Sequence, residues 1–166
     1  MLTTDVSPQR ILKSLPKSRD RAITAERLAE ALRLGEPQAA RVRQYLAEFA
    51  RAGLAVSKGK LYWRKKVDGL LIGTLRGTRS GAAFVVPDDE RERRFGDLYI
   101  ADHSMGAAMH GDKVIARVTG NYQAGRAGRV EAVLVRANST IVGQFVEFRK
   151  DRFVAPIDEK FLHNIN

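Results

Sequence analysis

The side chains that could catalyse a reaction or hold a metal ion are few and scattered in this sequence. Its three histidines, His103, His110 and His163, have no serine or cysteine at a spacing typical of a nucleophilic triad, and the chain contains no cysteine. The acidic run Asp88-Asp89-Glu90 is followed at once by arginines that would compensate its carboxylates, and no calcium-loop spacing accompanies it. We therefore predict a solvated charged turn there, and no catalytic residue, metal site or cofactor site in this chain.

Cations are the residues whose number and spacing do indicate a chemistry. Residues 37–66 hold eight Lys and Arg against one Glu, so this segment carries +7 of the net charge of +10. Such a segment attracts polyanions, of which nucleic acid is the commonest in a cytoplasm. The alternative is a generally basic, solvated surface. We predict phosphate contacts from the following cations: Arg41, Arg43, Arg51, Lys58, Lys60, Arg64, Lys65 and Lys66.

The basic segment falls on elements typical of a winged helix-turn-helix. Helix-start signals at Ser7-Pro8, Thr24 and Pro37 predict three helices, and Gly53 is placed to end the third. Two short β-like runs joined by a glycine turn follow, and the turn carries lysines. In such folds the third helix and the hairpin tip usually meet nucleic acid. Residues 1–66 are predicted to form this winged-helix domain.

From Leu70 onward the pattern changes from helical to strand-like. No stretch of residues 67–137 keeps a 3.6-residue period for three turns, and five short β-runs separated by charged or glycine-containing loops favour a small closed barrel of the OB or cold-shock type. Residues 125–129 lack the strand-to-helix context of a phosphate loop, and we interpret them as a mobile basic hairpin. The predicted strands are 70–75, 82–86, 98–100, 114–118 and 130–135.

A pattern in the barrel segment returns near the end of the chain. Gly73 and the run Phe84 to Glu90 are echoed by Gly143 and the run Phe153 to Glu159, at an offset of 70 residues for the glycines and 69 for the phenylalanines. Residues 138–166 therefore hold the start of a second barrel, with too few strands to bury a core of their own. We expect the chain to be a piece of a longer protein, of α+β multidomain class.

Phe84 and Tyr99 lie in segments that resemble the two RNA-binding strand motifs of cold-shock domains, at positions where that family stacks aromatic rings on bases. Ala82, Ala101 and Asp102 stand where the family commonly has two more aromatic residues and a histidine. The barrel is therefore predicted to be a weak stacking platform. The alternative is that both rings fill the barrel core. Four cations of this segment are expected to contact the RNA backbone: Arg76, Arg79, Lys113 and Arg117.

The strings GAAFVVPDD, GDLYI, MHGDKVIARV and VEAVLVRANSTIVGQF resemble the N-terminal half of the ribonuclease II family. The order of a winged part, a first cold-shock domain and the start of a second also matches. The resemblance implies a parent that degrades RNA processively from its 3′ end, with Mg2+ held by aspartates of a catalytic domain outside this sequence. This chain would then be inactive alone, with RNA and the catalytic and S1 domains as its partners and no small-molecule substrate.

Two other functions stay open at this point. One is a DNA-binding regulator whose winged helix reads a duplex, and the other is an RNA chaperone that acts without a nuclease domain. We expect a cytoplasmic location and no membrane partner. The N-terminus lacks the layout of a signal peptide, no apolar run approaches the length of a membrane span, and the chain has no cysteine.

Overall fold

The structure of the chain is a computed structural model that describes residues 6–137, 143–148 and 151–156. It divides into two compact units, Met1–Leu70 and Leu71–Asn166. The remainder of the predicted second barrel, within 138–166, lies outside the described residues. No helix in the described part of the chain has both the length and the apolar composition that a membrane span requires.

In the first unit, residues 6–70 form three helices and a two-stranded hairpin, as the winged helix-turn-helix prediction requires. The Thr24 hydroxyl caps the second helix by accepting a hydrogen bond from the Arg27 amide at 3.2 Å. Gly53 ends the third helix with a left-handed φ of 94°, which glycine adopts without strain. The elements are α1 (Pro8–Ser14), α2 (Ala25–Ala31), α3 (Glu36–Ala52), β1 (Ala55–Lys58) and β2 (Leu61–Arg64), with a 3-10 turn at Arg19–Arg21.

The core of the first unit lies along one face of α3. Val42, Leu46 and Phe49 follow one another at steps of four and three residues and are fully buried. Ile11 of α1 and Leu28 of α2 are also buried, and both of these helices pack on α3. Because the apolar stripe of α3 is used in this packing, its arginines are left on the solvent side.

Five strands of the second unit close into a barrel in the order β3-β4-β5-β7-β6. The β5–β7 pair is parallel, and the β3–β4, β4–β5 and β6–β7 pairs are antiparallel. This is the five-stranded OB-type barrel that the sequence predicts. Its elements are β3 (Leu70–Gly77), β4 (Ala83–Pro87), β5 (Leu98–Ile100), β6 (Lys113–Tyr122) and β7 (Gly125–Val135), with a short helix α4 (Glu90–Arg93) and a 3-10 turn at Asp102–Ser104.

The hairpin of β6 and β7 is longer and more regular than the sequence predicts. The apolar runs end at Val118 and resume at Val130, whereas β6 continues to Tyr122 and β7 begins at Gly125. The basic hairpin predicted at residues 125–129 is present, because these residues pair with β6 along their whole length, and residues 126–128 pair also with β5. The mobility expected of it stays a prediction. Ladder hydrogen bonds on both sides outweigh the low strand propensity of a polar, glycine-rich segment.

The barrel closes where the turn before β6 meets β3. The Leu75 amide donates to the Asp112 carbonyl at 2.9 Å, and the Gly111 amide donates to the Leu75 carbonyl at 2.7 Å. The Asp112 residue is only 1% exposed. Its carboxylate accepts hydrogen bonds from three donors: the Met109 amide at 2.9 Å, the Ala137 amide at 3.0 Å and the Arg136 Nη1 at 2.8 Å. The HGDKV segment thus forms a turn into a strand, the non-catalytic role that its residue types suggest.

The sequence repeat is a repeated hairpin. β8 (Gly143–Phe148) and β9 (Asp151–Pro156) pair antiparallel with Gly143 opposite Pro156. In the first copy Gly73 of β3 lies opposite Pro87 of β4. Since the strand registers agree, the one-residue slip between the copies lies in the turn that joins the two strands.

Gly128 of β7 occupies a position where a side chain does not fit. A Cβ there would clash with the Arg117 carbonyl oxygen and lie 2.8 Å from Leu98 Cδ2. Gly128→Ala is expected to lower the free energy of unfolding by about 1–3 kcal/mol, measured by urea denaturation. Gly120→Ala in β6 is the matched control, because a Cβ there meets no atom within 4 Å. Equal losses in the two variants would contradict the steric explanation.

Candidate nucleic-acid interface

α3 places its three predicted cations on an exposed face, and two of them form ion pairs. The Arg43 guanidinium lies 3.7 and 3.9 Å from two glutamates, and Arg51 lies 3.3 Å from Glu48. Exposed pairs of this kind contribute only about 0–1 kcal/mol each, so a phosphate could replace the carboxylate at small cost. Arg41 is exposed and has no carboxylate partner in the described part of the chain.

The hairpin of β1 and β2 forms a wing that carries unpaired positive charge. Lys58 and Lys60 lie on either side of Gly59, whose φ of 60° makes the tight turn, and both are exposed. Because no described carboxylate lies within ion-pair distance of the wing, its charge is open to a phosphate. These wing cations are Lys58, Lys60, Arg64, Lys65 and Lys66, of which Arg64 is half-buried and the others are exposed.

Three aromatic rings form a continuous cluster on the outside of the barrel. Phe84 of β4 lies directly opposite Tyr99 of β5, and the two rings meet edge to face with centroids 5.6 Å apart. Tyr99 also stacks on Tyr122, the last residue of β6, with centroids 3.8 Å apart and planes inclined by 10°. Leu98 and Ile100 are fully buried, so strand alternation turns Tyr99 outward. We call Phe84, Tyr99 and Tyr122 the three-ring cluster.

The three-ring cluster is open to solvent at both ends. Phe84 is 37% exposed and Tyr122 is 42% exposed, whereas Tyr99 between them is half-buried. Neither of the two rings singled out from the sequence lies in the barrel core. Tyr122 was missed, because it follows the apolar run of its strand and stands among polar residues at a turn. The available signal in the sequence was that Tyr122 is an aromatic residue close to the predicted basic hairpin.

Two of the predicted barrel cations are engaged by carboxylates of their own unit. Lys113 Nζ lies 2.8 Å from Asp88 Oδ1, and Arg117 Nε lies 2.6 Å from Glu131 Oε1. Both pairs are partly buried, so a phosphate would have to displace a closely held carboxylate. Contacts of Lys113 and Arg117 with the RNA backbone stay predictions. To make them, a phosphate must compete with the carboxylate that each cation already binds.

The other two barrel cations lie on the β3–β4 hairpin. Arg76 is exposed and lies directly opposite Phe84 in the strand register. Arg79 lies in the turn that joins the two strands and is also exposed. A cation opposite an exposed ring places a phosphate-binding group and a base-stacking group side by side, an arrangement suited to a single strand.

The acidic run has structural roles in the fold. The Asp88 carboxylate binds Lys113, and the Asp89 side chain caps α4 by accepting a hydrogen bond from the Arg91 amide at 3.0 Å. Among the described residues, no group of three or more His, Cys, Asp or Glu side chains could hold a metal ion. The prediction of a solvated turn is therefore wrong for Asp88, which is half-buried in its pair with Lys113, and for Glu90, which begins α4.

A closed five-stranded barrel with an exposed aromatic cluster defines an OB-fold domain of the kind that binds nucleic acid. The family model described as "Ribonuclease B OB domain" matches residues 73–135, from β3 to the end of β7. Residues 73–135 therefore combine an OB-type barrel with a match to the ribonuclease B OB domain. The chain as a whole is similar to ribonuclease R, which confirms the resemblance found in its motifs.

The similarity to ribonuclease R covers most of the chain. The chain is 31% identical to the ribonuclease R of Thermotoga maritima, in an alignment that covers 99% of this chain and 21% of the relative. It is 32% identical to that of Escherichia coli over 93% of the chain and 19% of the relative, and 30% identical to that of Vibrio cholerae over 83% and 17%. The chain thus spans about a fifth of the length of these relatives.

Similarity to solved structures is more distant. The structure of yeast Ssd1, described as a pseudonuclease, aligns with 55% of this chain and 16% of its own, at a TM-score of 0.46 and 18% identity.

The Arg117–Glu131 pair gives the barrel a measurable dependence on pH. The hydrogen bond from Arg117 lowers the pKa of Glu131 below its ordinary value of 4.5, burial opposes this effect, and Arg129 at 3.3 Å lowers the pKa further. The pair should therefore stabilise the fold fully above that ordinary value and lose its contribution as the pH falls through the lowered pKa. An NMR titration is expected to place the Glu131 midpoint below 4.5 and to show an upward shift in Arg117→Ala. A wild-type midpoint at or above 4.5 would contradict this account.

Proposed function

We propose that this chain is an RNA-binding module of a ribonuclease R-like, processive 3′→5′ exoribonuclease. In this proposal it captures RNA in the cytoplasm and guides it toward a catalytic domain elsewhere in the same protein. The observation that carries the proposal is the exposed three-ring cluster on a barrel that matches the ribonuclease B OB domain. The similarity to ribonuclease R over most of the chain supplies the reaction class.

The two kinds of contact on these surfaces suit RNA of any sequence. Rings stack on every base because every base has a π face, and each stacked base contributes about 1–3 kcal/mol. Cations bind phosphates, which carry no sequence information. An enzyme that degrades whole transcripts requires both properties, because it must hold whatever sequence arrives next.

The proposal assigns no bond-breaking step to this chain. Phosphodiester hydrolysis by metal ions needs a cluster of carboxylates, and among the described residues no such group is present. Mg2+ would be held by aspartates of the catalytic domain, and this chain would contribute affinity and direction. In the first unit the wing cations would hold phosphates of single or paired strands, since they have no carboxylate partner in the described ranges.

The proposed function is tested by fluorescence anisotropy of the chain with single-stranded RNA, duplex RNA with a 3′ overhang, and the DNA counterpart of each, over a salt series. We expect preferential binding to RNA, little dependence on base sequence, and a linear fall of log K with log salt concentration. A preference for one duplex DNA sequence would favour the regulator alternative. No binding to RNA at moderate salt would overturn the proposal.

The wing contribution can be measured in the same assay. Lys58→Ala with Lys60→Ala should weaken RNA binding and reduce the salt slope by about 1.4, since each phosphate contact to a single strand accounts for about 0.7. Arg10→Ala with Lys13→Ala is the matched control, because it removes the same charge from exposed positions on α1. Equal changes of slope in the two double variants would assign the effect to net charge alone.

The ring contribution is tested at Phe84. Because this ring is 37% exposed, Phe84→Ala should leave the midpoint of thermal unfolding nearly unchanged. The free energy of binding to single-stranded RNA should become less favourable by about 1–3 kcal/mol. Phe84→Tyr should keep most of the wild-type affinity, because it keeps an aromatic ring. A collapse of thermal stability in Phe84→Ala would instead identify the ring as a packing residue.

A further inference from the structure

The ring face that the sequence assigns to a base is already occupied in this structure. Tyr99 stands at the family's stacking position, and Tyr122 lies parallel to it at a centroid distance of 3.8 Å. The Tyr122 ring thus lies parallel to Tyr99, on a face that a base stacked on Tyr99 would use. A base and the Tyr122 ring cannot occupy the same face of Tyr99 at the same time.

The position of Tyr122 is supported by contacts of its hairpin with the segment between β4 and β5. Arg126 of β7 lies opposite Asn121, the residue that precedes Tyr122. Its guanidinium binds the Glu92 carboxylate at 2.8 Å and also donates to the Gly96 carbonyl at 3.3 Å. The same guanidinium lies 5.1 Å from the centroid of the Phe95 ring. These contacts hold the end of the hairpin against the barrel and keep the tyrosine ring over its neighbour.

The exposures of the three rings show which of them a ligand can reach. Tyr122 at 42% and Phe84 at 37% are both more accessible than half-buried Tyr99. Ala82 and Ala101 leave the barrel without two rings that cold-shock domains commonly have. Tyr122 supplies an aromatic surface from a different strand, at the end of the long β6–β7 hairpin.

We propose that Tyr122 is the ring on which this barrel stacks an unpaired base. Tyr99 is a positioning residue, which packs against the opposite face of the Tyr122 ring. The ligand class is an unpaired nucleobase of single-stranded RNA, with Phe84 as the second exposed stacking surface. This inference rests on the proposed function. The resemblance to cold-shock domains assigns the base contact to Tyr99. The inference assigns it instead to Tyr122, which lies outside the sequence motifs.

The first test compares variants of the whole chain. Under the proposal Tyr122→Ala lowers the affinity for single-stranded oligouridylate about 5- to 150-fold, whereas Tyr122→Phe and Tyr122→Trp retain most of the affinity because they keep the ring. If Tyr99 were the base platform, Tyr122→Ala would uncover it, and the affinity would stay the same or rise. That result would overturn the inference.

A second measurement on the wild-type chain does not depend on how the variants fold. Single-stranded RNA substituted with 5-iodouridine is photocrosslinked to the chain, and the modified residues are located by mass spectrometry. We expect adducts at Tyr122 and Phe84. Binding with an adduct at Tyr99 and none at Tyr122, or with adducts in the first unit alone, would overturn the inference while the proposed function stands. Failure to bind RNA at all would overturn both.

Discussion

The buried carboxylate of Asp112 is the interaction on which the geometry of the barrel depends. A carboxylate this deeply buried is tolerated only where donors surround it, because a buried polar group without hydrogen bonds is destabilising. Its donors come from the turn before β6 and from the residues after β7, while its own backbone closes the barrel against Leu75 of β3. Both strands of the long hairpin are therefore fixed at one end, and Tyr122 lies at the other.

Strand pairing decides which cations and rings lie side by side on the barrel. Phe84 of β4 lies opposite Tyr99 of β5 on one side and opposite Arg76 of β3 on the other. Its ring therefore has an aromatic neighbour on one strand and a cation on the other. Lys113 and Arg117 on β6 are instead held by carboxylates. The basic composition of the chain thus separates into cations that support the fold and cations that are open to a phosphate.

Local signals in the sequence predicted much of the fold. The cap at Thr24, the glycine that ends α3 and the five apolar runs each depend on neighbouring residues, and the repeat of Gly73 at Gly143 corresponds to a repeated strand register. Features that depend on distant partners were missed. The extension of the β6–β7 hairpin needs its pairing with β5, and the stacking of Tyr122 on Tyr99 joins residues that are far apart in the sequence.

The central claim, that this chain holds single strands by exposed rings and unpaired cations, is tested most directly by NMR. Amide and aromatic resonances would be followed while a short oligouridylate is added to the whole chain. The account predicts that the largest shifts fall on Phe84, Tyr122 and the wing cations, and that they shrink as salt is raised. Shifts confined to residues outside both surfaces, or none at all at low salt, would contradict it.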